Sequence, residues 1–184
     1  MDTQKDSGEL FRFIILIPHR DALKPFDDYR KKIFKAGNFG AYSFPLAAPL
    51  AAVSRPFSPN ELKELGRNIR NLTKEKNGKI LSESTAQAAY GDKFIFFGPA
   101  LNLRVKEEIF PQTAREKLIH TLSPPVLCTA LFGPDEKPVS DERPALSFRA
   151  ASLTNLAIRG LDCGAPVYSF EWRVGAQVWL PKST

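Results

Sequence analysis

Histidine and cysteine, the side chains that most often catalyse reactions or bind transition metals, are scarce. The 184 residues contain two of each, His19, His120, Cys128 and Cys163, scattered singly along the chain. A structural zinc site takes four such ligands at characteristic spacing, so we expect no metal site and no cofactor. The two cysteines could form one disulfide, but the lack of an export signal favours reduced thiols.

The sequence also lacks a long apolar run. Its clearest uninterrupted run, Phe13–Ile17, is far shorter than the ~18–20 residues that cross a membrane. Met1–Leu10 is polar and of mixed charge, without the basic start and apolar stretch of a signal peptide. These patterns predict a soluble cytoplasmic protein with no membrane partner.

Familiar catalytic motifs are missing too. No Gly-x-Ser-x-Gly, phosphate-binding loop or Gly-x-Gly-x-x-Gly pattern occurs. Cys128 lies within an apolar stretch, which predicts an inert buried thiol, and Cys163 has no evident base near it in sequence. A Ser/His/Asp or Cys/His arrangement stays open, because its members meet only in the fold.

What the sequence does contain is ordinary globular material with a basic balance. It is 43% apolar and 25% charged, includes 14 Phe residues, and carries a net charge of +6. This charge permits an anionic partner such as RNA or a nucleotide, although plain cytosolic proteins often share it. The length predicts one domain over residues 1–184, with a polar tail at 1–9 and a mobile loop near 133–145.

Local patterns predict helices interspersed among strands that suit antiparallel pairing, which favours an α+β fold. The capping box of Ser58 and Glu61, with Pro59 between them, is the clearest signal and predicts a helix start. The other main predictions are a central strand over Phe11–Pro18, a helix over Pro25–Ala36, a strand over Lys93–Phe97 broken by Gly98-Pro99, a helix over Pro111–His120 and a strand over Val126–Phe132.

The capped helix carries two stripes at helical spacing. The apolar stripe, which should be buried, consists of Leu62, Leu65, Ile69 and Leu72. The second, which we call the basic stripe, consists of Lys63, Arg67, Arg70 and Lys74. Four cations on one helical face could contact successive phosphates of RNA. The alternative is a solvated face, partly neutralised by neighbouring glutamates.

A second set of cations lies beside aromatic residues on predicted strands. Arg149 follows Phe148, and Arg104 and Arg173 lie on other predicted strands. An arginine next to an aromatic ring would suit a stacked base and its phosphate. Aromatic residues at strand spacing also suit a plain core, which is the alternative interpretation of Phe148.

Three stretches resemble the 2H phosphoesterase superfamily, the 2′-5′ RNA ligase-like proteins. They are Ser54-Arg55-Pro56-Phe57-Ser58-Pro59 before the capped helix, Val126-Leu127-Cys128-Thr129-Ala130-Leu131-Phe132, and the tail from Phe148 to Pro181. The resemblance covers about 150 residues by flanking patterns of low specificity. It implies a two-lobed α+β fold with pseudo-twofold symmetry. In that family each lobe contributes one His-x-Thr/Ser motif to a shared cleft, where the imidazoles act as general base and acid on a 2′,3′-cyclic or 2′-5′ phosphate.

This chain departs from the family at the diagnostic positions. The resemblance assigns Leu50 and Ala52 to the first motif, and Leu127 and Thr129 to the second. One hydroxyl and no imidazole cannot carry out paired acid–base transfer near neutral pH. The resemblance therefore implies a catalytically lapsed member that binds RNA or a nucleotide in a cationic cleft.

Two alternatives stay open. One is an active phosphodiesterase with unusual residues, such as His19, its ring oriented by Asp21, together with Thr129. His120 is a weaker candidate, because its predicted place at a helix C-terminus suits a cation for dipole reasons alone. The other alternative is a protein-interaction or scaffold domain without a small-molecule site.

Overall fold

Among the residues that the structure describes, two antiparallel sheets and two α-helices make up the fold, which confirms the predicted α+β class. The computed structural model describes residues 9–36, 39–74, 76–90, 94–132, 145–160 and 170–181. Nearly all of the predicted tail at 1–9 and loop at 133–145, as well as Cys163, lie outside the described residues. No helix in the described ranges is both long and apolar enough to cross a membrane.

The elements are numbered in chain order. The helices are α1 (Arg20–Lys35) and α2 (Pro59–Lys74). The strands are β1 (Leu10–Pro18), β2 (Ala48–Val53), β3 (Ile80–Tyr90), β4 (Phe94–Leu101), β5 (Leu118–Thr121), β6 (Ala130–Phe132), β7 (Ser147–Phe148), β8 (Ala151–Gly160), β9 (Phe170–Val174) and β10 (Val178–Trp179).

The larger sheet has the order β10-β8-β1-β2-β5, and β9 pairs with the same edge of β8 as β10. The predicted central position of the first strand is confirmed, because Phe13 pairs with Leu156 of β8 on one side and with Ala52 of β2 on the other. Its run Phe13–Ile17 is apolar at every position, which suits a strand that is covered on both faces. All pairings in this sheet are antiparallel.

The smaller sheet has the order β6-β4-β3-β7. Its strand β4 continues through Gly98-Pro99, so the predicted break there is wrong. The neighbouring segment supplies the reason: the Leu127 N–H donates to the Pro99 carbonyl at 2.9 Å, and the Thr129 N–H donates to the Phe97 carbonyl at 2.8 Å. Glycine and proline weaken a strand by local preference, but this adjacent backbone holds β4 extended.

Helix α1 begins at Arg20, five residues before the predicted start at Pro25. His19 forms the cap: its ring Nδ1 accepts from the Asp21 N–H at 3.4 Å. Proline is most frequent at the first helical position, which is why the pattern predicted Pro25 there. The helix packs its Tyr29 and Ile33 against the smaller sheet.

Helix α2 begins at Pro59, and its predicted capping box is confirmed. The Ser58 N–H donates to Glu61 Oε2 at 2.6 Å, and the Glu61 N–H donates to Ser58 Oγ at 3.3 Å. The helix ends before Asn77 and Gly78, which have positive φ angles of 54° and 66°. Its buried stripe is Leu62, Leu65 and Ile69. The predicted fourth member, Leu72, is exposed.

The predicted helix over Pro111–His120 is wrong. The chain forms a short 3-10 helix over Gln112–Lys117 and then the strand β5. Pairing with β2 takes precedence over helical preference here, since His120 is the Cα partner of Ala52. His120 is therefore an exposed residue of an edge strand, not a cation at a helix end.

An aromatic cluster joins the two sheets. The Phe13 ring meets the rings of Phe44, Phe96 and Tyr90 edge-on, with centroid distances of 6.2, 5.6 and 5.2 Å. Phe44 and Phe96 are also edge-on to one another at 4.9 Å. Phe13 belongs to the larger sheet and Phe96 to the smaller one. These ring contacts therefore pack one face of each sheet into a common core.

Candidate functional site

A pocket of about 230 Å³ opens on the larger sheet beside the start of α2. Its lining includes Arg12 of β1, Asn155 and Ala157 of β8, Arg173 of β9, and Pro56 from the segment that leads into α2. We call it the arginine pocket. It is smaller than the ~300–1,000 Å³ of pockets that enclose a drug-sized ligand. It therefore suits a part of a ligand, such as one phosphate and the sugar that bears it.

The strand register places the two arginines. Ala157 is the Cα partner of Arg12 on one side and of Arg173 on the other. Directly paired residues of antiparallel strands project from the same face of a sheet, so the three side chains form one row with Ala157 in the middle. Strands lie ~4.8 Å apart, which puts the Cα atoms of the two arginines about 10 Å from each other.

Asn155 fixes the wall of the pocket nearest α2. Its side-chain Oδ1 accepts from the Phe57 N–H at 2.7 Å, and its Nδ2 donates to the Phe57 carbonyl at 2.8 Å. This two-point contact holds the residue before the helix cap against β8. The amide is thereby occupied, so the pocket offers a ligand its two guanidinium groups.

The two guanidinium groups differ in their surroundings. Arg12 is half-buried, and its Nη1 donates to the Ser54 carbonyl at a long 3.5 Å. The Arg173 side chain is 84% exposed, and its Nη2 lies 3.5 Å from Glu171 Oε1. Such weak, solvated contacts are easily exchanged for a stronger anion. Both groups are therefore available to a ligand.

The basic stripe is interrupted at Arg70. Lys63, Arg67 and Lys74 are exposed, but Arg70 is only 5% exposed. Its guanidinium donates to the carbonyls of Pro181 at 2.7 Å, Gly78 at 3.0 Å and Arg149 at 2.7 Å. The prediction of four exposed cations on one face is therefore wrong at Arg70, which ties α2 to three other parts of the chain.

Burial accounts for the electrostatics of the enclosed arginines. Burial, and then the charge of Arg149, lowers the pKa of Arg70. Burial also lowers the pKa of Arg30, against the opposing effects of Cys128, Tyr42 and Asp27. Arg30 donates to the carbonyls of Ala41 and Phe44. Arg30 and Arg70 each donate to at least two backbone carbonyls, whereas Arg12 makes one long contact with a backbone carbonyl and Arg173 one with a carboxylate.

The two other predicted anion contacts lie apart from the arginine pocket. Arg149 is exposed in the turn between β7 and β8, next to Arg70. Arg104 is exposed in the segment after β4. Phe148, predicted as a stacking partner or a core residue, is buried in the apolar cluster beneath α2, to which Leu62, Leu65 and Ile69 of that helix belong.

The four positions that the resemblance assigned to catalytic motifs are all buried. Leu50 belongs to the cluster beneath α2, whereas Ala52 faces the aromatic cluster on the opposite side of the sheet. The register between β1 and β2 shifts at this point, which leaves Leu50 as the extra residue of a β-bulge. In a regular strand, Leu50 and Ala52 would lie on the same face because they are two residues apart. The bulge puts them on opposite faces of the sheet.

The second pair of motif positions is equally enclosed. Leu127 is wholly buried in the cluster beneath α2. The Thr129 side chain is also wholly buried, and its hydroxyl donates to the Phe97 carbonyl at 2.9 Å. Neither side chain reaches solvent, so Thr129 does not share the surface position of His19.

His19 lies at the opposite end of the sheet from the arginine pocket. The expected proximity of Asp21 is confirmed: its Oδ2 is 3.2 Å from His19 Nδ1. The imidazole also lies 6.1 Å from the Trp179 ring, measured between centroids. In the structure, His19 is the N-cap residue of α1. Across the described ranges, no group of three or more His, Cys, Asp or Glu side chains could hold a metal ion.

Family models, curated proteins and solved structures give no match to this chain. The arginine pocket is thus defined by geometry alone. Of its two cations, the sequence pattern singled out Arg173 and missed Arg12. The missed signal was a single charge inside an otherwise apolar strand, since an arginine without a partner is almost never fully buried.

Proposed function

We propose that this chain binds a phosphate group of RNA or of a nucleotide in the arginine pocket and does not transform it. The observation that carries the proposal is the row of Arg12, Ala157 and Arg173 across three strands. A ligand resting on the methyl group of Ala157 would have a guanidinium group on each side. The net charge of +6 adds a general attraction for anions.

Phosphate is the group that this arrangement suits best. A guanidinium presents its N–H groups as a planar fork that matches two phosphate oxygens. The aliphatic stems of the arginines and the wall formed by Pro56 supply apolar surface for a sugar or base. The small volume of the pocket favours the end of an RNA strand or a single nucleotide over a long RNA duplex.

Binding without turnover fits the residues that line the pocket. General acid–base catalysis needs a group that exchanges protons near neutral pH. The lining offers arginine, asparagine, proline, glycine and aliphatic residues. On this proposal the chain is a 2H phosphoesterase-like domain that has lost its imidazoles and kept a cationic surface.

The test uses a fluorescently labelled single-stranded RNA oligonucleotide and its anisotropy at low salt. Arg12→Gln and Arg173→Gln should each weaken binding by roughly ten-fold, since each removes a charge-assisted contact. Arg67→Gln, on the exposed part of the basic stripe, removes the same charge elsewhere and should change the affinity little. Competition with a mononucleotide and with inorganic phosphate measures what the base and sugar contribute.

Two results would reject the proposal. One is no binding of RNA, mononucleotide or phosphate by the unaltered protein even at low salt. The other is a loss of binding in Arg67→Gln with normal binding in both pocket variants. The second result would assign binding to the basic stripe instead.

A role in protein interaction has separate support. Both tryptophans of the chain lie at the outer edge of the larger sheet, and Trp172 and Trp179 are 40% and 57% exposed. Large aromatic side chains are enriched where proteins meet. This edge can bind a partner whether or not the arginine pocket holds a phosphate.

A further inference from the structure

The strand β9 lies at the outer edge of the larger sheet, and no other described strand covers its outward side. Within the described part of the chain, β9 pairs with β8 alone. Gly175, just after β9, donates its N–H to the Asn155 carbonyl at 2.8 Å. Antiparallel pairs alternate between hydrogen-bonded and non-hydrogen-bonded. Counting back from Gly175, the N–H and C=O groups of Val174 and Trp172 therefore point away from β8.

An open edge of this kind is a template for another strand. Natural edge strands are commonly protected by lysine, proline or a bulge. Between Phe170 and Val174 the register with β8 is regular, with five consecutive pairs. The edge has one acid and one base, Glu171 and Arg173, on either side of Trp172. The Glu171 and Arg173 side chains are 54% and 84% exposed.

This sequence is complementary to itself. In an antiparallel pair centred on Trp172, the two tryptophans lie opposite each other. Glu171 then lies opposite Arg173 of the partner subunit, and Arg173 lies opposite Glu171 of the partner subunit. Trp172, whose backbone groups point outward, is the residue that must form the central hydrogen-bonded pair.

We propose that β9 pairs with β9 of a second copy of this chain, so that two larger sheets join into one across a two-fold axis. The charges select the register. If the partner slides by two residues in one direction, Glu171 lies opposite Glu171; in the other direction, Arg173 lies opposite Arg173. Like charges directly opposite each other destabilise a strand pair. Of these three registers, only the one centred on Trp172 makes ion pairs. It makes two of them, because every contact across a two-fold axis occurs twice.

The proposal does not depend on the proposed function, although Arg173 takes part in both. In the paired state the two Trp172 side chains are shielded from water. Each arginine pocket lies beside the two-fold axis, because it shares Arg173 with the joined edge. The interface accounts for an exposed aromatic edge strand that the phosphate-binding proposal leaves unexplained.

Charge exchange provides the test, with sedimentation velocity over a range of concentrations as the readout. The unaltered protein should form a reversible dimer. Glu171→Arg and Arg173→Glu should each raise the dimer dissociation constant by roughly ten-fold or more, since each turns two ion pairs into two like-charge pairs. The double variant Glu171→Arg/Arg173→Glu restores both ion pairs and should dimerise again. Arg67→Glu on α2 is the control and should dimerise normally.

Val174→Pro gives an independent test of the backbone contact. The Val174 N–H points away from β8, so proline there removes a donor from the open edge and keeps the pairing with β8. Its dimer should be lost while its circular dichroism spectrum and melting temperature stay close to those of the parent. A parent protein that is monomeric at every concentration would overturn the proposal, as would single and double charge variants that all dimerise equally.

Discussion

Lys117 Nζ donates to both carboxylate oxygens of Glu61, at 2.9 Å to Oε1 and 2.8 Å to Oε2. The two side chains are largely buried, and Glu61 also accepts the N–H of Ser58. The pair therefore links the start of α2 to the residue that precedes β5, far away in sequence. The charged form of Glu61 is built into the fold.

This pair makes stability depend on pH in acid. Burial raises the pKa of Glu61, but hydrogen bonds from Lys117 and Ser58 and the charge of Lys117 outweigh it, so the pKa is lowered. A lowered pKa gives stability that is present above the unfolded value of ~4.3 and is lost as the pH falls through the folded value. Glu61→Gln should cost about 1–3 kcal/mol at neutral pH.

Thermal melts between neutral pH and strong acid test this link. Below the unfolded pKa of Glu61, the parent should lose stability more steeply than Glu61→Gln, and the two curves should approach each other. Other carboxylates titrate in both proteins, so the difference between the curves isolates Glu61. Parallel curves over the whole range would contradict the assignment.

Arg70 should matter for folding and not for RNA. Arg70→Met leaves the carbonyls of Pro181, Gly78 and Arg149 without this donor, and we expect a loss of about 3 kcal/mol in the free energy of unfolding. Lysine cannot replace the planar fork of the guanidinium, so Arg70→Lys should recover only part of the loss. The exposed Arg67→Met should change stability by less than ~0.5 kcal/mol. Urea denaturation measures all three, and equal values for Arg67→Met and Arg70→Met would refute the bracing role.

Two glycines should respond to alanine in opposite directions. A Cβ at Gly98 would lie 1.8 Å from the Leu127 carbonyl oxygen, whereas a Cβ at Gly66 on α2 would lie 3.4 Å from its nearest neighbour, Leu180. Gly98→Ala should therefore destabilise by more than ~3 kcal/mol, because backbone must move. Gly66→Ala should stabilise by up to about 1 kcal/mol through helix propensity. A Gly98→Ala protein that melts with the parent would show that this strand contact can relax.

Salt should weaken phosphate binding in proportion to the number of contacts. Arg12 and Arg173 flank one phosphate, so the slope of log affinity against log salt should be about −0.7 for a single-stranded ligand. Arg173→Gln should lower the affinity and make this slope shallower. Anisotropy titrations at several salt concentrations give both values. A steeper slope that persists in the pocket variants would mean that phosphates contact other cations.

Features set by neighbours in sequence could be predicted. The capping box of Ser58 and Glu61 needs only three residues, and the apolar run of β1 shows its central place in a sheet. The start of α1 was misplaced because Pro25 gives a stronger local signal than the cap at His19. The predicted break at Gly98 failed because the segment around Leu127, distant in sequence, holds that strand extended.

The candidate site depended more on distant contacts. Helical periodicity placed Arg70 beside Lys63 and Arg67, but it could not show that the carbonyls of two remote segments would lie over Arg70. The pairing of Arg12 and Arg173 through Ala157 arises only when β1, β8 and β9 come together. Single residues on separate strands carry no pattern in the sequence that says they will meet.

The larger sheet cannot form until β8 has been synthesised, because the central strand β1 pairs with it. Phe13 in β1 leaves the ribosome long before its partner Leu156 in β8. Until β8 emerges, one side of β1 has no strand to pair with. Such long-range pairing slows folding and leaves apolar strands exposed to aggregation. The nascent chain therefore has to wait, and a shortened chain that stops before β8 should never close its larger sheet.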